Sequence, residues 1–147
     1  MSRVAIVTGA SGGLGSALVH ALLNEDWTVI AGARTPDKAD VLREFQETYK
    51  ERLQIVEADV TQHDHLQRLY EAAVEQGDLM LLINNAGTAN GRALSEATIE
   101  EFEEVFEVNV SSAFELIKIC LPDLLSNHGT IVNISSIVGS VALPYLG

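Results

Sequence analysis

Cysteine occurs once, at Cys120, which excludes an internal disulfide and suits a reducing compartment. Basic residues are scarce too. Nine Lys and Arg stand against 21 Asp and Glu, for a net charge of −12. A nucleic-acid surface needs a basic stripe, so that class of partner is excluded. No apolar run approaches the roughly 20 residues of a membrane span. Met1-Ser2-Arg3 leads straight into an apolar stretch, leaving no room for a signal peptide. The histidines (His20, His63, His65, His128) show no metal-ligand spacing joined to the cysteine. These absences point to a cytoplasmic, metal-free protein that binds neither membrane nor nucleic acid.

What is there is an ordinary globular composition. Apolar residues make up 47% and charged ones 20% of 147 residues, enough for one domain with a core over residues 1–147. The acids of Glu100, Glu101, Glu103, Glu104 and Glu107 fall on a predicted helix and read as a solvated face. Cys120 falls on an apolar helix face and reads as a core residue.

The chain is organised around Val4-Ala5-Ile6-Val7-Thr8-Gly9-Ala10-Ser11-Gly12-Gly13-Leu14-Gly15. Four apolar residues, a glycine-dense turn and a helical pattern predict strand, tight loop and helix. Gly9, Gly13 and Gly15 are spaced G-x-x-x-G-x-G. Glycine allows positive φ and close approach of a ligand. The helix that follows aims its free N–H groups and positive dipole end at the gap, favouring an anion. In a βα unit that anion is the pyrophosphate of a dinucleotide; the alternative is a turn with no ligand.

Strand and helix signals then alternate. Leu14, Ala17, Leu18, Ala21 and Leu22 give the first helix a face, and Trp27 to Ala33 reads as a second strand. Thr35-Pro36 reads as a cap opening a helix that carries Ala39, Leu42, Phe45 and Tyr49 inward. Leu53 to Ala58 is a third strand. Thr61 and Asp64 resemble a capping pair for a third helix, with Leu66, Leu69, Tyr70 and Ala73 inward. Leu79 to Ile83 is an apolar run, as expected of a buried parallel strand. Thr98 and Glu101 cap a fourth helix burying Phe102, Val105 and Phe106. A separate, longer one runs from about Asn109 to Leu125, loosened near Pro122. Thr130 to Ile134 is a fifth strand. The pattern predicts an α/β fold: a doubly wound parallel sheet of Rossmann type, in strand order 3-2-1-4-5.

The polar residues at the strand ends are the site candidates. Asn84-Asn85-Ala86-Gly87 ends the fourth strand beside the glycine loop, where the amides either tie strand ends or bond a ribose. Asp59-Val60 ends the third, where the carboxylate accepts from an adenine amino group with Val60 on the ring, or caps the next helix. The second strand ends Ala31-Gly32-Ala33-Arg34, with no acid for a ribose 2′-hydroxyl until Asp37. Arg34 either forks onto a 2′-phosphate or pairs with Asp37 or Asp40.

Together these residues resemble the short-chain dehydrogenase/reductase family. Thr8 to Gly15 looks like its T-G-x-x-x-G-x-G loop, holding cofactor through Gly9, Ser11, Gly13, Leu14 and Gly15. Asp59 and Val60 look like its adenine contact, and Asn85, Ala86 and Gly87 belong to its N-N-A-G. Asn109 stands where the family places an active-site asparagine that holds a water in a proton relay. Asn133 to Gly139 resembles the strand leading to its catalytic serine, with Ser136 the better match of Ser135 and Ser136. The resemblance implies NAD(P)-dependent hydride transfer between a small-molecule alcohol and a carbonyl. The basic Arg34 implies NADP(H) over NAD(H). A full-length member is expected to be a homo-oligomer.

One family motif is missing. The acid/base tyrosine and the lysine four residues on, Y-x-x-x-K, do not occur, since Tyr145 has no lysine partner and no lysine follows Lys118. The sequence resembles the N-terminal portion of such a reductase, with the sheet incomplete on its C-terminal side. The alternative is an inactive module that binds NADP(H) or a partner.

Overall fold

The structure, a computed structural model, describes residues 2–141. The chain alternates β1 (Arg3–Val7), α1 (Gly13–Asn24), β2 (Thr28–Ala33), α2 (Asp40–Tyr49), β3 (Leu53–Glu57), α3 (His63–Gln76), β4 (Asp78–Asn84), α4 (Ile99–Phe106), α5 (Ser112–Ser126) and β5 (Thr130–Asn133). All neighbouring strands are parallel, in the order β3-β2-β1-β4-β5. The predicted order is the observed one.

β1 lies at the centre, and Val4 to Val7 are completely buried. Alternate residues of a strand face opposite sides of its sheet. Val4 and Ile6 join Leu66, Leu69, Leu82, Leu116 and Cys120 in a core under α3 and α5. Val7 joins Val19, Leu23, Val29, Leu42 and Leu53 under α1 and α2. Truncating a buried leucine such as Leu82 or Leu116 to alanine costs about 2–5 kcal/mol, so these layers hold the sheet rim in place. From β1 the chain winds outward to β3, then returns across β1 to β4 and β5. The crevice between β1 and β4 is therefore the point where the winding reverses.

The helix ends depart from expectation in two of three places. Thr98 and Glu101 do form the predicted reciprocal box at the start of α4, with Thr98 Oγ1 accepting from Glu101 N–H at 3.2 Å and Glu101 Oε2 from Thr98 N–H at 3.0 Å. Thr61 and Asp64 do not cap α3, because Thr61 donates backwards to Asp59 at 2.8 Å and the cap position falls to Gln62. Thr35 bonds nothing as a cap. Pro36 opens a single 3₁₀ turn, Pro36–Lys38, and α2 begins only at Asp40.

The fourth and fifth predicted helices are one rod. A π turn over Glu107–Ser111 joins α4 to α5 without a break in helical backbone, and α5 continues through Pro122. Phe102 and Phe106, expected inside, are 61% and 49% exposed. The rod's inward face is made by Ser112, Leu116, Cys120 and Leu124, whereas among the described residues no strand packs extensively against α4. Among the described residues no helix is long and apolar enough to cross a membrane.

Candidate functional site

Strand ends and the loops that follow them meet on one rim. Thr8, the last polar residue of the β1 run, is 2% exposed and acts as the hub. Its hydroxyl oxygen accepts from the backbone N–H of Asn85 and of Ala86, both at 3.0 Å. Asn85 answers with its side-chain amide, which donates to the Thr8 carbonyl at 3.0 Å and the Gly9 carbonyl at 3.1 Å. Of the two readings of the asparagines, the structure shows the tie between strand ends. The β1 loop and the Asn85-Ala86-Gly87 loop are thus one hydrogen-bonded unit.

The glycines make that union possible. Gly9 has φ of +61°, and a Cβ there would stand 2.8 Å from Ala86 Cα. A Cβ on Gly15 would lie 2.2 Å from the Gly9 carbonyl oxygen. Across Gly12 and Gly13 the reverse holds, since a Cβ on either would meet nothing within 4 Å. The loop is closed against protein below and open above. Gly12 is the N-cap of α1 and supplies no side-chain cap, so the first-turn N–H groups face that open space. Ser11 and Leu14 are exposed beside them. Such an arrangement favours an anion.

The next backbone links carry the rim outward. Ala10 N–H donates to Gly32 O and Ala58 N–H to Ala33 O, both at 2.9 Å. Arg34 follows β2, exposed, and among the described residues it has no ion-pair partner. Asp37, one of its two candidate partners, pairs instead with Arg43 at 2.9 Å. Asp59 ends the β3 side. The Thr61 hydroxyl and the Thr61 N–H at 3.0 Å both donate to its Oδ1 and hold its carboxyl below the usual range, with a smaller contribution from Arg34. Its role as a helix cap is therefore not the observed one. Val60, expected to offer its side chain to a ring, turns it into the core beside Leu66 and Leu69.

On the far side of the crevice, Asn109 sits inside the π turn. Its side chain accepts from Thr88 N–H and donates to Thr88 O, both at 2.8 Å, so both ends of the amide are engaged. Gly87 lies against it, where an added Cβ would come 3.4 Å from Asn109 Oδ1. Asn84, 7% exposed, donates across to Asn133 Oδ1 at 2.9 Å and registers β4 with β5. Ser136 follows β5, exposed, and accepts from Val138 N–H at 3.4 Å as the cap of the turn Ile137–Gly139. Tyr145 lies outside the described residues.

Two residues of this rim hold it together without standing among its sequence candidates. Thr8 was part of a motif, but its hydroxyl is what joins the loops; a β-branched hydroxyl closing an apolar strand is the clue. His65, whose Nδ1 accepts from Asp59 N–H at 2.9 Å, had none. Cys120 is no nucleophile. Burial, with Asp123 nearby, pushes its thiol up to about 12. Among the described residues no three His, Cys, Asp or Glu side chains gather as metal ligands would.

A parallel sheet in this order, with a glycine-rich first turn at its switch point, defines a Rossmann-type α/β domain. The short chain dehydrogenase profile matches residues 3–146, and the chain belongs to that family. Uncharacterized oxidoreductase YusZ of Bacillus subtilis is 36% identical over 147 residues, covering 98% of this chain and 52% of that protein. An alcohol dehydrogenase from the archaeon Thermococcus sibiricus, complexed with 5-hydroxy-NADP, matches with 28% identity and a TM-score of 0.88 over 99% of this chain and 63% of that one. A short chain dehydrogenase/reductase from Burkholderia phymatum in complex with NAD matches with 27% identity and a TM-score of 0.91 over 99% of this chain and 53% of its own. The chain spans only about half the length of YusZ, and less than two thirds of the 3-oxoacyl-[acyl-carrier-protein] reductase FabG of Staphylococcus aureus, to which it is 31% identical.

Proposed function

We propose that these residues form the cofactor-binding part of an NADP(H)-dependent oxidoreductase that interconverts a small-molecule alcohol and a carbonyl. The observation that carries this reading is the uncapped N-terminus of α1, open above Gly12 and Gly13 and closed below by the Gly9–Ala86 contact. When bound, the nicotinamide supplies or accepts a hydride. Gly9, Ser11, Gly13, Leu14 and Gly15 cradle the pyrophosphate. Asp59 and the Val60 backbone meet the adenine, while Asn85, Ala86 and Gly87 shape the ribose side of the crevice. Ser136 donates to the substrate oxygen and stabilises negative charge that develops there. Asn109, its side chain engaged with the Thr88 turn, holds a water in the proton relay.

Arg34 supports the phosphorylated cofactor. It is exposed, has no ion-pair partner among the described residues, and follows the strand where an NAD site places an acid. Titration with NADPH and NADH tests this directly. NADPH binds at least about tenfold more tightly, as expected of a charge-assisted fork, and R34S removes the difference. Equal affinities in the unsubstituted chain overturn the preference.

Turnover is a separate matter, because within these 147 residues no tyrosine is followed four positions later by lysine. The reading for this chain alone is therefore binding without catalysis. The purified 147-mer oxidises no NADPH against a panel of ketones and aldehydes; measurable turnover overturns that division of labour. A reducing, cytoplasmic setting suits the buried Cys120 thiol.

The partner surface is the α4–α5 rod. Phe102, Phe106, Val110 and Phe114 recur every four residues and are all exposed, Phe114 by 64%. A strict four-residue repeat drifts about 40° per step on a straight α-helix, and the wider π turn takes up part of that drift. Phe102 stacks on Phe106 at 6.1 Å, and Phe106, Val110 and Phe114 line one groove. Contiguous exposed apolar patches of this kind mark association sites, here for a second copy of the chain. Sedimentation of F106E as a smaller species than the unsubstituted chain supports a homo-oligomer through this face; identical sedimentation overturns it.

A further inference from the structure

A side chain of α3 acts on the backbone of the turn that follows β3. Ala58 is the last amide of this strand to bond the sheet, donating to Ala33 O. The next N–H, that of Asp59, has no neighbouring strand and donates instead to His65 Nδ1 at 2.9 Å. The Asp59 carbonyl accepts from Gln62 N–H at 3.0 Å. Its Oδ1 accepts twice from Thr61, at 3.0 Å and 2.8 Å. Of the polar atoms of Asp59, only Oδ2 has no hydrogen-bond partner among the described residues.

His65 is the keystone of this set because it reaches back from the first turn of α3. A ring nitrogen that accepts from an N–H places the proton of the neutral ring on the other nitrogen, Nε2. That bond fixes the Asp59 peptide plane and with it the direction of the Cα–Cβ bond. Thr61 then fixes the carboxylate about that bond. The result is a half-buried, ionised carboxylate with one oxygen committed and one free. An acceptor-only oxygen selects a ring carrying an amino group at the facing edge and repels one carrying a carbonyl there.

We propose that His65 is a positioning residue for base recognition: by holding the Asp59 N–H it aims Asp59 Oδ2 at the 6-amino group of a purine, so discrimination between adenine and hypoxanthine nucleotides passes through His65. This rests on the dinucleotide reading given above.

Asparagine and leucine at position 65 separate the role from mere structure. Asn Oδ1 occupies the place of His Nδ1, one bond beyond Cγ, and can accept the same N–H. Leucine puts a methyl group there. The readout is the ratio of dissociation constants for NADPH and its hypoxanthine analogue, deamino-NADPH, measured by fluorescence titration on the 147-residue chain. Losing a hydrogen bond to a charged acceptor predicts about a tenfold preference for the adenine form in the unsubstituted chain. H65N keeps that preference. H65L lowers it to about threefold or less, with the NADPH-to-NADH ratio set by Arg34 unchanged. Should H65L not fold, H65A is read in the same way.

A full preference in H65L, or its loss in a folded H65N, overturns the proposal while the cofactor reading stands. Equal binding of both bases by the unsubstituted chain does the same. Failure of the unsubstituted chain to bind either nucleotide removes the cofactor reading and this proposal together.

Discussion

Asn109 grips Thr88 by both backbone groups, accepting from its N–H and donating to its carbonyl, each at 2.8 Å. One amide side chain thus replaces a strand neighbour for a turn that has none. N109A removes both bonds. The Thr88 amide then loses protection in hydrogen exchange relative to the sheet amides, and stability falls by about 1–2 kcal/mol, the sum of two ordinary hydrogen bonds. Unchanged protection at Thr88 would show that the turn holds itself.

The two kinds of glycine in the first loop predict opposite outcomes. Gly15→Ala drives a methyl group to 2.2 Å from the Gly9 carbonyl oxygen and 2.8 Å from Asn85 Nδ2, both fixed by hydrogen bonds. The backbone must shift, at about 3 kcal/mol or more. Gly12→Ala meets nothing within 4 Å and has extended backbone, with φ of −164°. It lowers stability by about 1 kcal/mol or less. Urea midpoints of the two variants measure the difference. A similar midpoint for both would refute the closed-below, open-above description.

His63 at the start of α3 pairs with Glu115 on α5 at 2.5 Å. The hydrogen bond to Glu115, then its charge, raise the His63 pKa above the ordinary value of about 6.5. A pKa raised in the folded state means that the stabilisation is complete below the unfolded value and is lost as pH climbs through the folded one. The stability gap between the unsubstituted chain and E115Q is therefore widest below the ordinary value of about 6.5 and closes as pH climbs through the raised value of the folded state. The histidine proton resonances titrate with a midpoint above 6.5 in the former and nearer to it in the latter. A gap that widens with pH would reverse the assignment.

Tyr70 on α3 donates to Asp123 on α5 at 2.6 Å, and this bond, with burial and the carboxylate charge, pushes the phenol up to about 12. Stability from this pair is complete below pH 10 and fades as pH rises toward 12. Absorbance at the phenolate band shows one tyrosine ionising late, a component absent from Y70F. That variant also loses about 1 kcal/mol. Early ionisation of every tyrosine would remove the bond from the folded state.

Legibility in the sequence followed how local each cause was. Val4 to Val7 and Leu79 to Ile83 could be read as buried parallel strands because both faces demand apolar residues. The Thr98–Glu101 box could be read because both partners lie within one turn. Thr61 and Asp64 offered the same spacing, yet Asp59 competes for the Thr61 hydroxyl from the preceding turn, and that local bond wins. Phe102 and Phe106 have the spacing of a buried face. Their exposure depends on where the rod leaves the sheet, which no local pattern encodes. The glycine loop was legible as a motif; the Thr8 hydroxyl that welds it to Asn85 and Ala86 was not, since its partners lie in another strand.

The order of the strands also decides when the crevice comes into being. β1, β2 and β3 are sequence neighbours, but the second partner of β1 is β4, which pairs Val7 with Ile83. Closing so long a loop carries a larger entropic cost than the local pairings, which favours a late joining of β4 to β1. A nascent chain still short of β4 has its glycine loop but no opposite wall. Any ligand of the crevice therefore acts on the assembled seam alone, as a clasp that slows its reopening, and its presence during refolding alters the unfolding rate rather than the first collapse.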